Sequence, residues 1–252
     1  MQNVALIGID LGKHSFHIHC QDKSGNALLR KKLMQFLATC PSLVVVMEAC
    51  AGAHFMARRI SDIGHEAKLI SPQFVRPFVK SNKNDFIDAE AICEAASRPS
   101  MRFVQPRTET QQAMRALHRV RESLIRDKVK TTNQIHGFLL EFGISLPTGD
   151  AAIKRLFLVL AEHEIPEYLS RLLMKLHAHY LYLIEQITEL ESELNQSIKA
   201  DATAQCIMTI PGVGPMTASL LSSQLGDGKQ FSCSRDFAAS TGLVPPIIQY
   251  LW

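Results

Sequence analysis

Apolar positions along the first hundred residues change their period several times. VALIGID (4–10) is an apolar run closing on an acid, SFHIHCQ (15–21) alternates, and NALLRKKLM (26–34) reads as a third strand. The stretches LGK (11–13) and KSGN (23–26) supply the turns, so the pattern predicts a three-strand antiparallel meander. LVVVME (43–48) is apolar and β-branched throughout, as a central strand buried on both faces would be. GAHFMARRISDIG (52–64) then takes the helical period and ends on Gly, HEAKLIS (65–71) is a short strand, and PQFVRPFVK (72–80) opens with Pro at a first helical position. DFIDAEAICEAASR (85–98) is a second helix. The order βββ, β, α, β, α predicts an α/β domain with a mixed sheet and flanking helices.

Beyond residue 104 the helical period takes over. Residues 108–142 and 166–199 predict long helices. In the second, Leu173, Leu176, Tyr180, Leu183, Ile187, Leu190 and Leu194 keep 3–4 spacing beside Glu185, Glu189, Glu191 and Glu193. Two readings fit equally: a coiled-coil seam pairing with a second copy, or one arm of a hairpin packed on 108–142. The expected division is 1–104 for the α/β domain, 105–200 for a coiled-coil-like helical region, and 201–252 for a small helical C-terminal domain. At 252 residues the chain has room for such cores.

A hydrophobic content of 46% with 20% charged residues describes a globular chain, which excludes a disordered one. No apolar run approaches a membrane span, and MQNVALIGID lacks the basic start of a signal peptide, so a cytoplasmic protein is expected. Cysteines at 20, 40, 50, 93, 206 and 233 form no CxxC pair, which argues against a zinc site or a disulfide framework. The net charge of +3 is uneven: residues 101–142 carry 8 basic and 4 acidic side chains, and 143–200 carry 5 and 8. The basic stretch suits a polyanionic partner, although a solvated helix face has the same composition.

Candidate chemistry begins with acids at element ends. Asp10 closes the first strand, Glu48 closes the central one, and Asp85 and Asp88 lie one helical turn apart behind Lys80 and Lys83. Each alone reads as a turn or a solvated residue. Together, four carboxylates from three elements would repel strongly unless cations sat among them, and two Mg²⁺ ions about 3.5–4 Å apart would both neutralise them and align a phosphodiester. His17 and His19 share one strand face, but without a third ligand they are assigned no metal role.

GIDLGKHSFHIHC, MEACAGAH, KLISPQFVRPFVKSNKNDFIDAEAICEA and LHRVRESLIRDKVKTTNQIHGFLLEFGI strongly resemble the IS110-family transposases, in the branch near IS1111. The resemblance covers residues 4–245. It implies a RuvC-like, ribonuclease-H-type N-terminal domain whose DEDD tetrad is Asp10, Glu48, Asp85 and Asp88, acting with Mg²⁺. It also implies a helical middle region, a C-terminal transposase domain, DNA as substrate, and a guide RNA from the element's own non-coding end. The expected location is the cytoplasm, at the nucleoid. Two departures stand out. The helix before the Glu48 strand is shortened to about residues 30–42. After STGLVP (240–245) the family continues into a Ser- and Gly-rich basic stretch carrying a nucleophilic serine, whereas this chain reads PIIQYLW. No residue here matches that serine, and a catalytically incomplete copy is expected.

Nucleic-acid contacts are expected from two places. Arg115, Arg119, Arg126 and Lys130 recur at helical spacing, with Arg121 and Lys128 slightly off the stripe and Leu117, Val120, Leu124 and Ile135 on the other face. Asn133 and Gln134 could add polar contacts. IPGVGPMTA (210–218) fits a helix-hairpin-helix turn in which Gly212 and Gly214 free backbone N–H groups for a phosphate. Competing functions remain on the residues alone: a RuvC-like nuclease of branched DNA using only the acids, or a non-enzymatic nucleic-acid-binding remnant.

Overall fold

The computed structural model describes residues 6–11, 16–21, 37–79, 85–226 and 228–242; the side chains of 11, 16–21 and 85–87 also lie outside the description. The chain forms two compact units, Met1–Thr110 with Gly226–Trp252, and Gln111–Leu225.

In the first unit, β1 (Leu6–Leu11), β2 (Phe16–Gln21), β3 (Val44–Glu48), α1 (Ala53–Asp62), β4 (Glu66–Ile70), α2 (Pro72–Val75), α3 (Asp85–Ala96) and β5 (Phe103–Val104) build one sheet and its covering helices. The strand order is β2-β1-β3-β4-β5. β1, β3 and β4 run parallel, and β2 and β5 are antiparallel to their neighbours. The mixed α/β sheet expected from the pattern is therefore present. The proposed third meander strand, 26–34, lies outside the described residues.

Strand alternation divides the core in two. Ile7, Ile9, Val45, Met47 and Leu69 pack with Leu37, Ala53, Ala57 and Ile60 on the face covered by α1. Val46 and Ile70 pack with Val75, Ala91, Ile92 and Ala95 on the face covered by α3. Each large aliphatic side chain so buried contributes about 1.5–3 kcal/mol, which is why β3 reads as apolar on both faces. Gly52, at φ 85°, takes the left-handed turn that starts α1.

Three departures from the pattern have local causes. The expected helix over 72–80 stops after one turn at Val75 and continues as a 3₁₀ turn, Arg76–Phe78, because Pro77 lacks the N–H that an α-turn needs. β5 is two residues long, too short to show a period. The linker at Arg107 is fastened to α1: its N–H donates to His54 Nδ1 at 3.1 Å, and Arg58 Nη1 donates to its carbonyl at 2.7 Å.

The second unit contains α4 (Glu109–Leu140), α5 (Asp150–Lys154), α6 (Leu156–Glu162), α7 (Glu167–Lys199), α8 (Ala202–Ile207) and α9 (Pro215–Leu225); α10 (Ser234–Ser240) follows in the returning part of the first unit. The α7 seam is used within the chain. Leu173 and Tyr180 pack with Ile135, Leu139, Ile144, Leu146, Ile153 and Leu156. Leu194 packs with Ile198, Ala204, Ile207 and Ala218, flanked by Met114 and Leu117. Arg121 Nε donates to Glu191 Oε1 at 2.8 Å, tying α4 to α7. Of the two readings of this seam, the intramolecular hairpin is the one these contacts build. Val120, placed by the sequence pattern on the packed face of α4, is 51% exposed.

Packing generates a paired prediction. A Cβ at Gly8 would lie 2.5 Å from the Ala89 carbonyl oxygen and 2.7 Å from Cys93 Sγ. Gly8→Ala is therefore expected to destabilise the protein by about 1–3 kcal/mol through overpacking. Gly137, inside α4, has nothing within 4 Å of such a Cβ, so Gly137→Ala should stabilise by about 0.5–1 kcal/mol through helix propensity. Urea unfolding midpoints of the two variants should move in opposite directions.

Candidate functional site

β1 and β3 run parallel with Ile9 opposite Met47, so Asp10 and Glu48 follow one step later at the same end of the sheet. Gly8 meets α3 and Val46 belongs to the core beneath it, so alternation turns Asp10 and Glu48 toward that same helix. Asp88 sits on α3 immediately before Ala89, whose carbonyl abuts Gly8. The absence of a side chain at Gly8 is what lets the helix bearing Asp88 approach the strand bearing Asp10.

The charges register that proximity. The Glu48 carboxyl is pushed above its ordinary value by burial first, then by Asp10 and Asp88; Arg76 pulls the other way. Burial, then Glu48 and Asp10, push the Cys50 thiol up as well, which keeps it protonated. Among the described residues no three His, Cys, Asp or Glu side chains form a closed metal-ligand group. Asp10, Glu48 and Asp88 are thus electrostatic neighbours with hard oxygen donors, not a preformed cage. Asp85 begins α3, one turn before Asp88, and its side chain lies outside the description, as do residues Lys80 and Lys83. The sequence pattern gave no sign of Arg76 or Cys50; only the sheet end brings them to the acids.

The cations of α4 divide by partner. Arg121 is held by Glu191, Lys128 Nζ lies 3.2 Å from Asp150 Oδ2, and Arg126 is paired with Glu122. Arg119 and Lys130 are exposed and Arg115 is half-buried. Gly212, at φ 84°, makes the exposed turn before α9, with Gly214 two residues on. The helix after the turn is braced twice: His118 Nε2 is 3.1 Å from Ser219 Oγ, and Ser222 Oγ donates to Asp201 Oδ2 at 2.6 Å. Neither brace carries a sequence signal, since its partners are separated by 101 and 21 residues.

Residues 7–144, more than half of the chain, match the transposase family DEDD_Tnp_IS110. The chain belongs to the IS110 family of transposases. Residues 204–249 match the transposase IS116/IS110/IS902 family. The chain is 70% identical over 250 residues to the transposase for insertion sequence element IS1328 of Yersinia enterocolitica, covering 97% of this chain and 75% of that protein. It is 40% identical to the transposase for insertion sequence element IS1111A of Coxiella burnetii, over 97% of this chain and 70% of that one. A probable family 20 transposase of Pseudomonas aeruginosa is 40% identical over 96% and 75% of the two chains.

As an IS110-family transposase of an insertion sequence, the chain is an enzyme with DNA as partner, and its DEDD family uses divalent metal. The donor chemistry of Asp10, Glu48 and Asp88 fits such an ion: three carboxylates, one of them held above its ordinary value by burial and then by the other two. Among the described residues no helix is long and apolar enough to cross a membrane.

The raised Glu48 value fixes a pH dependence. The folded state holds this proton more tightly than the unfolded state, where the value is near 4.5. The contribution is therefore present below that value and is lost as pH rises through the folded one. Stability of metal-free protein should fall over that window. Glu48→Gln should flatten the fall and raise the urea midpoint at neutral pH. An unchanged pH profile in that variant would show that the Glu48 carboxyl is not raised in the folded protein.

Proposed function

We propose that this transposase acts in Mg²⁺-dependent cleavage and transfer of DNA strands, at sites chosen by a guide RNA, with Asp10, Glu48, Asp85 and Asp88 as the metal-binding acids and no serine of this chain assigned as the nucleophile. The observation that carries the reading is the mutual charge of Asp10, Glu48 and Asp88 at one sheet end. Strand order and the parallel β1-β3-β4 core support a RuvC-like, ribonuclease-H-type reading of residues 1–104. The helical region 105–200 and a C-terminal domain over 201–252 complete the proposed organisation.

In this reading Asp10, Glu48 and Asp88, with Asp85, hold two Mg²⁺ ions. Bound there, the ions would stabilise charge on the attacking and leaving oxygens of a phosphodiester. The chain's own work is to fix the carboxylates on rigid element ends, with the close approach at Gly8 setting their separation. Arg76, whose charge already reaches Glu48, would keep a phosphate near the acids. On the sequence pattern alone, Lys80 and Lys83 are proposed as further phosphate contacts. Arg115, Arg119, Arg126, Lys130 and the Gly212–Gly214 turn would contact nucleic-acid backbone. Self-association through α7 would use its exposed side, at Tyr168, Leu172, Met174, Leu181 and Tyr182, because the leucine seam is already occupied. A nucleoid-associated location follows from DNA binding.

The test compares Asp10→Asn, Glu48→Gln and Asp88→Asn with the parent chain on supercoiled DNA carrying an element end and its RNA. Each variant should lose at least about a hundredfold in Mg²⁺-dependent strand cleavage while binding DNA as before. Cleavage retained in Asp10→Asn would remove the acids from the chemistry.

A further inference from the structure

We infer that Arg115 and Arg119, rather than the whole cationic stripe of α4, grip the phosphodiester backbone, and that Glu122 holds Arg126 out of that grip. The inference rests on the nucleic-acid reading of α4 above and narrows it to two residues. On a helix of 3.6 residues per turn, Arg115, Arg119, Glu122, Arg126 and Lys130 all lie along one stripe. Its middle is neutral: Glu122 precedes Arg126 by four residues and the two are in contact. A pair so exposed, with side chains 62% and 76% accessible, adds only a few tenths of a kcal/mol of stability. Its weight here lies elsewhere, because the Glu122 charge stays on the stripe and repels any phosphate that Arg126 attracts.

The off-stripe cations are committed inside the unit, Arg121 to Glu191 and Lys128 to Asp150. Arg115, Arg119 and Lys130 have no acidic partner among the described residues, and of these only the two arginines are neighbours on the stripe. They sit one turn apart, and Arg115 is half-buried: burial first, then the like charge of Arg119, hold its guanidinium below its ordinary value. A folded protein that leaves two guanidiniums together without an anion retains a repulsion that a phosphate would remove.

The pair is also positioned. His118 lies between the two arginines in sequence and meets Ser219 Oγ at 3.1 Å. Burial, then the nearby Arg121, keep the His118 ring below its usual value, so at neutral pH it pairs with the serine hydroxyl as an uncharged ring. That bond, with the Met114–Leu117 contact to the Ala218 core, fixes the α4 segment that presents the arginines. It is a positioning contact and touches no phosphate itself.

The test measures binding of a short fluorescent DNA duplex of arbitrary sequence, and of a single-stranded RNA of equal length, as a function of salt. For the duplex, Arg115→Ala with Arg119→Ala should lower the slope of log affinity against log salt by about 1–2, since each lost phosphate contact removes about 0.9. Arg126→Ala should change it by less than about 0.3. Glu122→Gln, which removes no cation and leaves the helix intact, should steepen the slope by about 0.9 by releasing Arg126. A larger effect on the RNA strand than on the duplex would assign the grip to RNA. If Arg126→Ala lowers the slope as much as the double variant, or Glu122→Gln leaves it unchanged, the partition is wrong while backbone binding by α4 stands. If no substitution on α4 alters either slope, the nucleic-acid reading of the helix fails with it.

Discussion

The close approach of α3 to β1 over Gly8 is the contact on which the acidic end of the sheet depends. The Ala89 carbonyl and Cys93 occupy the space a side chain at position 8 would need. That seating sets the height of Asp88 above the strand that ends at Asp10. Burial beneath α3 of Val46, Ile70, Ala91, Ile92 and Ala95 then holds the helix down against the repulsion of the carboxylates. Aliphatic burial worth a few kcal/mol per side chain exceeds what partly solvated like charges can oppose. The chain can therefore fold with these acids close together, and a cation gains most where their repulsion remains.

Much of this is legible in the sequence. β3 and α1 announced themselves by period and punctuation, and so did the two long helices, because each carries a repeating apolar pattern over several turns or a continuous apolar run. Asp10, Glu48 and Asp88 could be singled out because they terminate such elements. What the sequence could not carry was pairing across the chain. Arg76 reaches Glu48 only through the folded sheet end, and His118 meets Ser219 across 101 residues. The leucine seam of α7 was ambiguous for the same reason: its spacing is satisfied equally by a second copy or by Ile135 and Leu139 of α4, and only the fold chooses the latter. The short 3₁₀ turn after Val75 and the two-residue β5 fall below the length at which period has meaning.

The second unit applies the same economy of charge. Acids at Glu191, Asp150 and Glu122 absorb Arg121, Lys128 and Arg126, so a helix that looks uniformly basic in sequence presents a shorter cationic stretch. Formal charge counted along a chain overstates what a polyanion meets. The residues left without an acid are the informative ones.

The central claim, that Asp10, Glu48 and Asp88 share one cation site, is tested most directly by anomalous diffraction from crystals of this chain grown with Mn²⁺, a scattering substitute for Mg²⁺. The account predicts an anomalous peak within coordination distance of at least two of these three carboxylates, absent in Asp10→Asn. A peak located elsewhere, or one unaffected by that substitution, would contradict it.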